Sequence, residues 1–259
     1  MSANAKQSRD AVARRNVIVP QMRDYDELGM NQEWVPHLMY FHPRSASKKS
    51  VSTDQFGARN SVGTKPNAPT ALLVGGSSVF GIGATSDSKT IPSLLNTSTK
   101  YNWRNLGGRA FNSTQEAILL HLSNTKKIDG PIVVMSGANN LTRSLMSGSF
   151  SPMYGAFFHQ GLFEQQMKSA AVGNRALTRQ LIAGLREKFG IGKKPTAQTA
   201  SHTTGNRAES YKAMLAVFER DCDYINMLAK HNSTSASFVL QPFAPWINKS
   251  LTSQEVELF

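Results

Sequence analysis

The chain has 259 residues, with 29 Lys and Arg against 17 Asp and Glu for a formal net charge of +12, and is 40% hydrophobic and 18% charged. That composition fits a folded globular protein and excludes a mainly disordered or fibrous one. No stretch approaches the ~18 consecutive apolar residues of a membrane span, and the basic opening MSANAKQSRDAVARRNVIVP lacks the apolar core of a secretory signal. The single cysteine, Cys222, rules out an intramolecular disulfide framework and a thiolate zinc cluster. A cytoplasmic setting is expected, and the excess of base suggests an anionic partner such as an acidic surface or polysaccharide, without identifying it.

Residues 1–16 are polar and expected to be disordered, with one domain over 17–259. Residues 17–70 read as irregular. The apolar run Ala71-Leu72-Leu73-Val74, ending in Gly75-Gly76, reads as a buried parallel strand entering a tight turn. Thr90–Asn96 reads as a helix with Pro92 in its first turn, where a missing N–H does little harm. The pattern repeats with a strand at Trp103–Leu106, a Gly107-Gly108 turn, and a helix at Ser113–Ser123 burying Ile118, Leu119 and Leu122. Pro131–Met135 is a third strand, succeeded by a loop at Ser136–Asn140.

A basic insertion is expected over 142–207, including an amphipathic, arginine-rich stretch at 174–189 and a polar loop at 191–207. The periodicity then predicts a helix over about Ala208–Ala229 with Met214, Leu215, Phe218, Cys222, Ile225 and Leu228 inside. Ser237–Gln241 is a fourth strand, stopped by Pro242, and Leu251–Glu255 carries a capping-box-like helix start. Strands alternating with helices imply a parallel sheet with helices on both faces, whose ligands bind beyond the carboxyl ends of the strands.

Three polar loops fall at such ends. In Gly75-Gly76-Ser77-Ser78-Val79-Phe80-Gly81-Ile82-Gly83, glycines around a serine permit a sharp turn that presents a hydroxyl. The same loop lacks the lysine of a Walker motif and the third glycine of a dinucleotide fingerprint, so neither nucleotide reading holds. Taken alone, Ser77 equally suits a helix N-cap. The second loop is Asn105-Leu106-Gly107-Gly108-Arg109-Ala110-Phe111-Asn112-Ser113 and the third Gly137-Ala138-Asn139-Asn140, where a neutral amide is suited to donate to an acyl-transfer oxyanion.

These blocks resemble the SGNH/GDSL hydrolases. Gly75–Gly81 is similar to the family's Gly-Asp-Ser-x-x-x-Gly block, with Gly76 in place of aspartate and Ser77 at the nucleophile; Asn105-Leu106-Gly107 with Asn112-Ser113 is similar to the second block, its oxyanion glycine falling on Ala110. Gly137–Asn140 is similar to Gly-x-Asn-Asp, with Asn139 as the oxyanion amide and Asn140 replacing aspartate. The resemblance covers 71–141, and 208–242 more loosely. It implies an α/β flavodoxin-like three-layer α/β/α sandwich with a parallel sheet and hydrolysis or transfer of an acyl ester, including O-acetyl groups on carbohydrate. It further implies Ser77, Ala110 and Asn139 as the catalytic set and Gly76, Ser78, Asn105, Gly108 and Asn140 lining the substrate. No cofactor or metal is called for; the Asp221/Asp223 pair has no histidine or carboxylate cluster to complete a site.

The family's final Asp-x-x-His is absent: none of His37, His42, His121, His159, His202 and His231 has an aspartate three residues before it. The fifth strand and last helix are not seen either. Without that base, a non-catalytic SGNH-like module holding a glycan or acyl group is the competing expectation. A nucleic-acid binder is disfavoured by the lack of a helix-turn-helix, zinc-finger or RNP-like motif.

Overall fold

The computed structural model describes residues 3–123, 128–147, 151, 153–169, 207–242, 250–253 and 256. Four parallel strands, β1 (Thr70–Gly75), β2 (Asn102–Gly107), β3 (Ile132–Ser136) and β4 (Ala236–Leu240), form one sheet in the order β2-β1-β3-β4. That order is the flavodoxin-like, doubly wound one, and the chain reverses its direction of travel between β1 and β3. The register sets Gly75 level with both Gly107 and Met135, so the loops leaving the three strands start from one edge.

Alternation along β1 divides the core between two layers. Leu72 and Val74 join Leu106, Ile132 and Val134 beneath α5 (Ser113–Ser123) and α8 (Arg207–His231). Ala71 and Leu73 face the opposite way, with Trp103 and Val79, toward α3 (Ser77–Phe80) and α4 (Ile91–Ser98). Connections β1→β2 and β2→β3 thus cross on opposite faces, as right-handed crossovers require when the direction reverses. The edge strand β4 leaves Phe238, Val239 and Leu240 exposed.

The first seventy residues are more ordered than their composition suggests. The expectation of disorder over 1–16 is corrected: Ala3–Ile18 forms helix α1, whose Arg15 pairs with Asp26 at 2.5 Å. The irregular 17–70 segment contains a second helix, α2 (Met22–Met30), which packs Tyr25 and Leu28 onto Val51 and Phe80. Isolated bridges Glu33–Phe41, Ser47–Ser52 and Thr53–Arg59 tie down the chain between α2 and β1.

Three further expectations are corrected. Asn139 and Asn140 lie in the first turn of helix α6 (Ala138–Ser147) and not in a loop. Helix α5 buries Glu116, Ala117, Leu119 and Leu120 while Leu122 is exposed. Helix α8 turns Met214, Val217, Asp221, Ile225 and Ala229 inward and leaves Leu215 outside and Cys222 half-buried. In both helices a carboxylate occupies the inner stripe, which displaces the apolar face by about one position from where hydrophobicity alone sets it. Residues 160–169 form helix α7 within the expected insertion. The arginine-rich stretch 174–189 and most of the polar loop 191–207 lie outside the described residues.

Candidate active site

Each of the three loops is fastened to the others. Gly108 N–H donates to Gly75 O at 2.8 Å, joining the second loop to the first. Asn139 Nδ2 donates to Phe111 O at 2.6 Å, joining the third to the second. A Cβ placed on Gly76 would sit 2.8 Å from Asn139 Nδ2, so the amide lies directly against the residue preceding Ser77. The Asn139 amide, from about sixty residues further along the chain, is thus brought against Gly76, the residue before Ser77, at the switch point between β1 and β3.

Ser77 is the first residue of α3, half-buried, with Gly76 as the N-cap; the N-cap alternative for Ser77 is thus set aside. Helix α3 is held at its far end by Arg59, which is fully buried. Its Nη1 donates to Phe80 O at 3.0 Å, Gly81 O at 2.7 Å and the Tyr25 hydroxyl at 2.9 Å. Its Nη2 donates to Ser50 O at 2.7 Å, and its Nε pairs with Asp87 at 2.9 Å.

Ala110 has φ 61°, the left-handed region that favours glycine. The Tyr40 hydroxyl donates to Ala110 O at 3.1 Å and fixes this strained turn, while the Ala110 N–H has no acceptor among the described residues. Ser78 Oγ accepts from Gln241 Nε2 at 2.8 Å. Gln241 directly succeeds β4, and no motif in the chain marks it.

Four of the expected substrate-lining residues are framework instead. Asn105 is buried, donating from Nδ2 to Val79 O at 2.9 Å and accepting the Gly107 N–H. Asn140 is 0% exposed, accepting from Ser113 N–H at 3.0 Å and donating to Ser113 Oγ at 2.8 Å. Gly108 is buried against the Phe111 ring, and Gly76 is buried beneath the turn. Each sits where the loops meet, and the two asparagine side chains are engaged in bonds within the fold. Ser77, Ser78, Ala110 and Asn139 remain half-exposed.

No described histidine is hydrogen-bonded to Ser77. His42 is enclosed: its Nδ1 donates to Gly57 O at 3.1 Å, its Nε2 accepts the Arg109 N–H, and burial pushes its pKa down to about 3. His159 lies edge-on to Tyr40 at 5.3 Å between centroids, its pKa lowered by burial and by Arg109 and Arg143. His121 on α5 meets the Tyr224 hydroxyl at 2.8 Å. His202 lies outside the described residues.

Beside Gly76 is a buried carboxyl that sequence reading missed. Glu116 is 1% exposed, its Oε2 has no partner, and its Oε1 lies 3.8 Å from the Cβ position of Gly76. Burial pushes its pKa up to about 8, the nearby Ser136 hydroxyl partly opposing and the Asp221 charge adding to the rise. Asp221 in turn accepts from the Ser113 and Thr114 hydroxyls at 2.7 Å each. Because the folded state holds the Glu116 proton more tightly than the unfolded chain, this group stabilises most below its ordinary value near 4.5 and loses that contribution as pH rises through about 8. Unfolding by urea between pH 6.5 and 8, above the range in which buried neutral His42 adds the opposite slope, should show stability falling by up to about 1.4 kcal/mol per pH unit. In Glu116→Gln, which has no proton to lose, that fall should be absent.

A cavity of about 600 Å³ lies on the other side of the second loop, between α5, α7 and the 37–39 segment, with Met39, Ile118, Phe157 and Phe163 in its walls. It shares Asn112 with that loop and does not include Ser77 or Asn139. Among the described residues no three His, Cys, Asp or Glu side chains are grouped to hold a metal ion, and no helix is long and apolar enough to cross a membrane. No family model matches the chain, and no curated protein does.

Proposed function

We propose that the protein is an SGNH-like serine hydrolase or acyltransferase acting on an acyl ester of a small molecule or carbohydrate. The observation that carries this reading is the position of Asn139, whose amide nitrogen comes within 2.8 Å of the Cβ position at Gly76, next to the Ser77 turn. Ser77 Oγ attacks the ester carbonyl. The oxygen that gains charge is met by the Ser77 and Ala110 N–H groups and the second N–H of Asn139, the first being committed to Phe111 O. Fixing these donors by the Tyr40, Gly75 and Phe111 bonds means that little reorganisation accompanies charge development. Water as the acceptor of the acyl group gives hydrolysis; a sugar hydroxyl gives transfer.

The test is labelling with a fluorophosphonate probe together with turnover of p-nitrophenyl acetate. Both should be present in the wild type, and Ser77→Ala should abolish labelling and lower the rate by about 10⁴-fold. One observation favours a second reading: no described histidine is hydrogen-bonded to Ser77. A folded wild-type protein that takes no label would make this a non-catalytic module holding a glycan or acyl group in the same cleft.

A further inference from the structure

The hydrolase reading leaves the Ser77 proton without an acceptor, and the groups around Gly76 offer one. Because residue 76 has no side chain, three polar atoms surround its Cβ position: Asn139 Nδ2 at 2.8 Å, Gln241 Oε1 at 3.7 Å and Glu116 Oε1 at 3.8 Å. Asn139 supplies a donor there and Gln241 is tied to Ser78, which leaves the carboxyl as the group able to take a proton. We propose that Glu116 is the proton acceptor for Ser77, reached across the side-chain-free face of Gly76. This rests on the serine-hydrolase reading.

Two features separate Glu116 from an ordinary buried carboxyl. Its Oε2 is without a partner, although a buried polar atom left unpaired is costly and native folds seldom keep one. Glycine also leaves the space beside the carboxyl, one residue before Ser77, free of a side chain, since a Cβ at 76 would lie 3.8 Å from Glu116 Oε1. The titratable groups facing Glu116 are Asp221 and Cys222, both on α8; Asp221 is bound by Arg220 at 2.6 Å and by two hydroxyls, and Cys222 is pushed up to about 11 and stays neutral.

The reaction balances with this group alone. The Ser77 O–H bond breaks as Oγ bonds to the carbonyl carbon, the proton passes to ionised Glu116 directly or through one water, and the carbonyl π pair moves onto oxygen. Collapse breaks the bond to the leaving alkoxide, which takes the proton from Glu116. Water then attacks the acyl-serine, losing a proton to Glu116, and Ser77 Oγ departs carrying that proton.

The experiment is the pH dependence of kcat/KM for p-nitrophenyl acetate, normalised to active protein by fluorophosphonate titration. In the wild type the rate should climb about tenfold per pH unit toward about 8 and then level, since Glu116 must be ionised to act. Glu116→Gln, isosteric with the neutral acid that the fold holds at lower pH, should be about 10²–10³-fold slower and lack the limb near 8. Glu116→Asp should recover part of the rate with the limb restored, and serves also if the glutamine variant folds poorly. A Glu116→Gln protein with the wild-type rate and limb overturns the assignment while leaving Ser77 as the nucleophile. Wild-type protein that is folded and takes no label at Ser77 overturns the hydrolase reading, and the acceptor role with it.

Discussion

Arg59→Met should lower the free energy of unfolding by about 3–5 kcal/mol, read as a shift in urea midpoint. The side chain is wholly buried, so methionine fills the volume of the stem while removing every donor at once. Phe80 O and Ser50 O are then left with only their longer bonds, from Asn105 Nδ2 and the Tyr25 hydroxyl at 3.4 Å each, Gly81 O loses its donor, and Asp87, 18% exposed, keeps only its bonds to Ser52. Each stranded acceptor costs about 1–3 kcal/mol on its own. A midpoint within error of wild type would mean that the carbonyls at the end of α3 find water, and that the clamp is dispensable.

Gly107→Ala should be at least as damaging, above about 4 kcal/mol or enough to keep the protein from accumulating folded. A Cβ at 107 would lie 2.1 Å from Phe80 N, 2.5 Å from Phe80 Cα and 2.7 Å from Val79 C, all main chain. No rotamer change relieves such contacts; α3 itself has to move off β2. Gly161→Ala is the matched control, because a Cβ there meets nothing within 4 Å, and it should leave stability unchanged or slightly raised. If the Gly107 variant folds with wild-type stability, the tight seating of α3 on β2 is not what holds Ser77 in place.

The sheet is legible in the sequence because its strands carry a local signal. Ala71–Val74 and the Phe238–Leu240 centre of Ser237–Gln241 are short apolar runs, Trp103–Leu106 begins and ends on an apolar residue, all are followed by glycine or proline, and each falls within a residue of Thr70–Gly75, Asn102–Gly107 and Ala236–Leu240. The positions of Ser77 and Asn139 are readable for the same reason, since both come just after strand ends. Arg59 is not readable: an arginine in a turn-rich stretch has no periodicity, and its importance comes from carbonyls 9 to 22 residues away in the chain. Glu116 and Asp221 escape notice because a charged residue on a helix is ordinarily assigned to the solvent side, and only the assembled fold brings the Ser113 and Thr114 hydroxyls onto Asp221. Asn105 and Asn140 stand out correctly as special and are given the wrong task. A buried amide that fastens two loops and one that binds substrate look alike until their partners are known.

The guanidinium at position 59 also couples heat resistance to chemistry. It reaches α2 through Tyr25, the 47–52 turn through Ser50, and the last carbonyls of the helix that bears Ser77. Warming that peels the N-terminal segment away from the sheet would therefore release the helix that bears Ser77 while the four strands still pair. On the proposed hydrolase reading, inactivation is expected to set in at a lower temperature than the loss of far-ultraviolet dichroism, with early proteolytic cuts between residues 19 and 69 marking the interval.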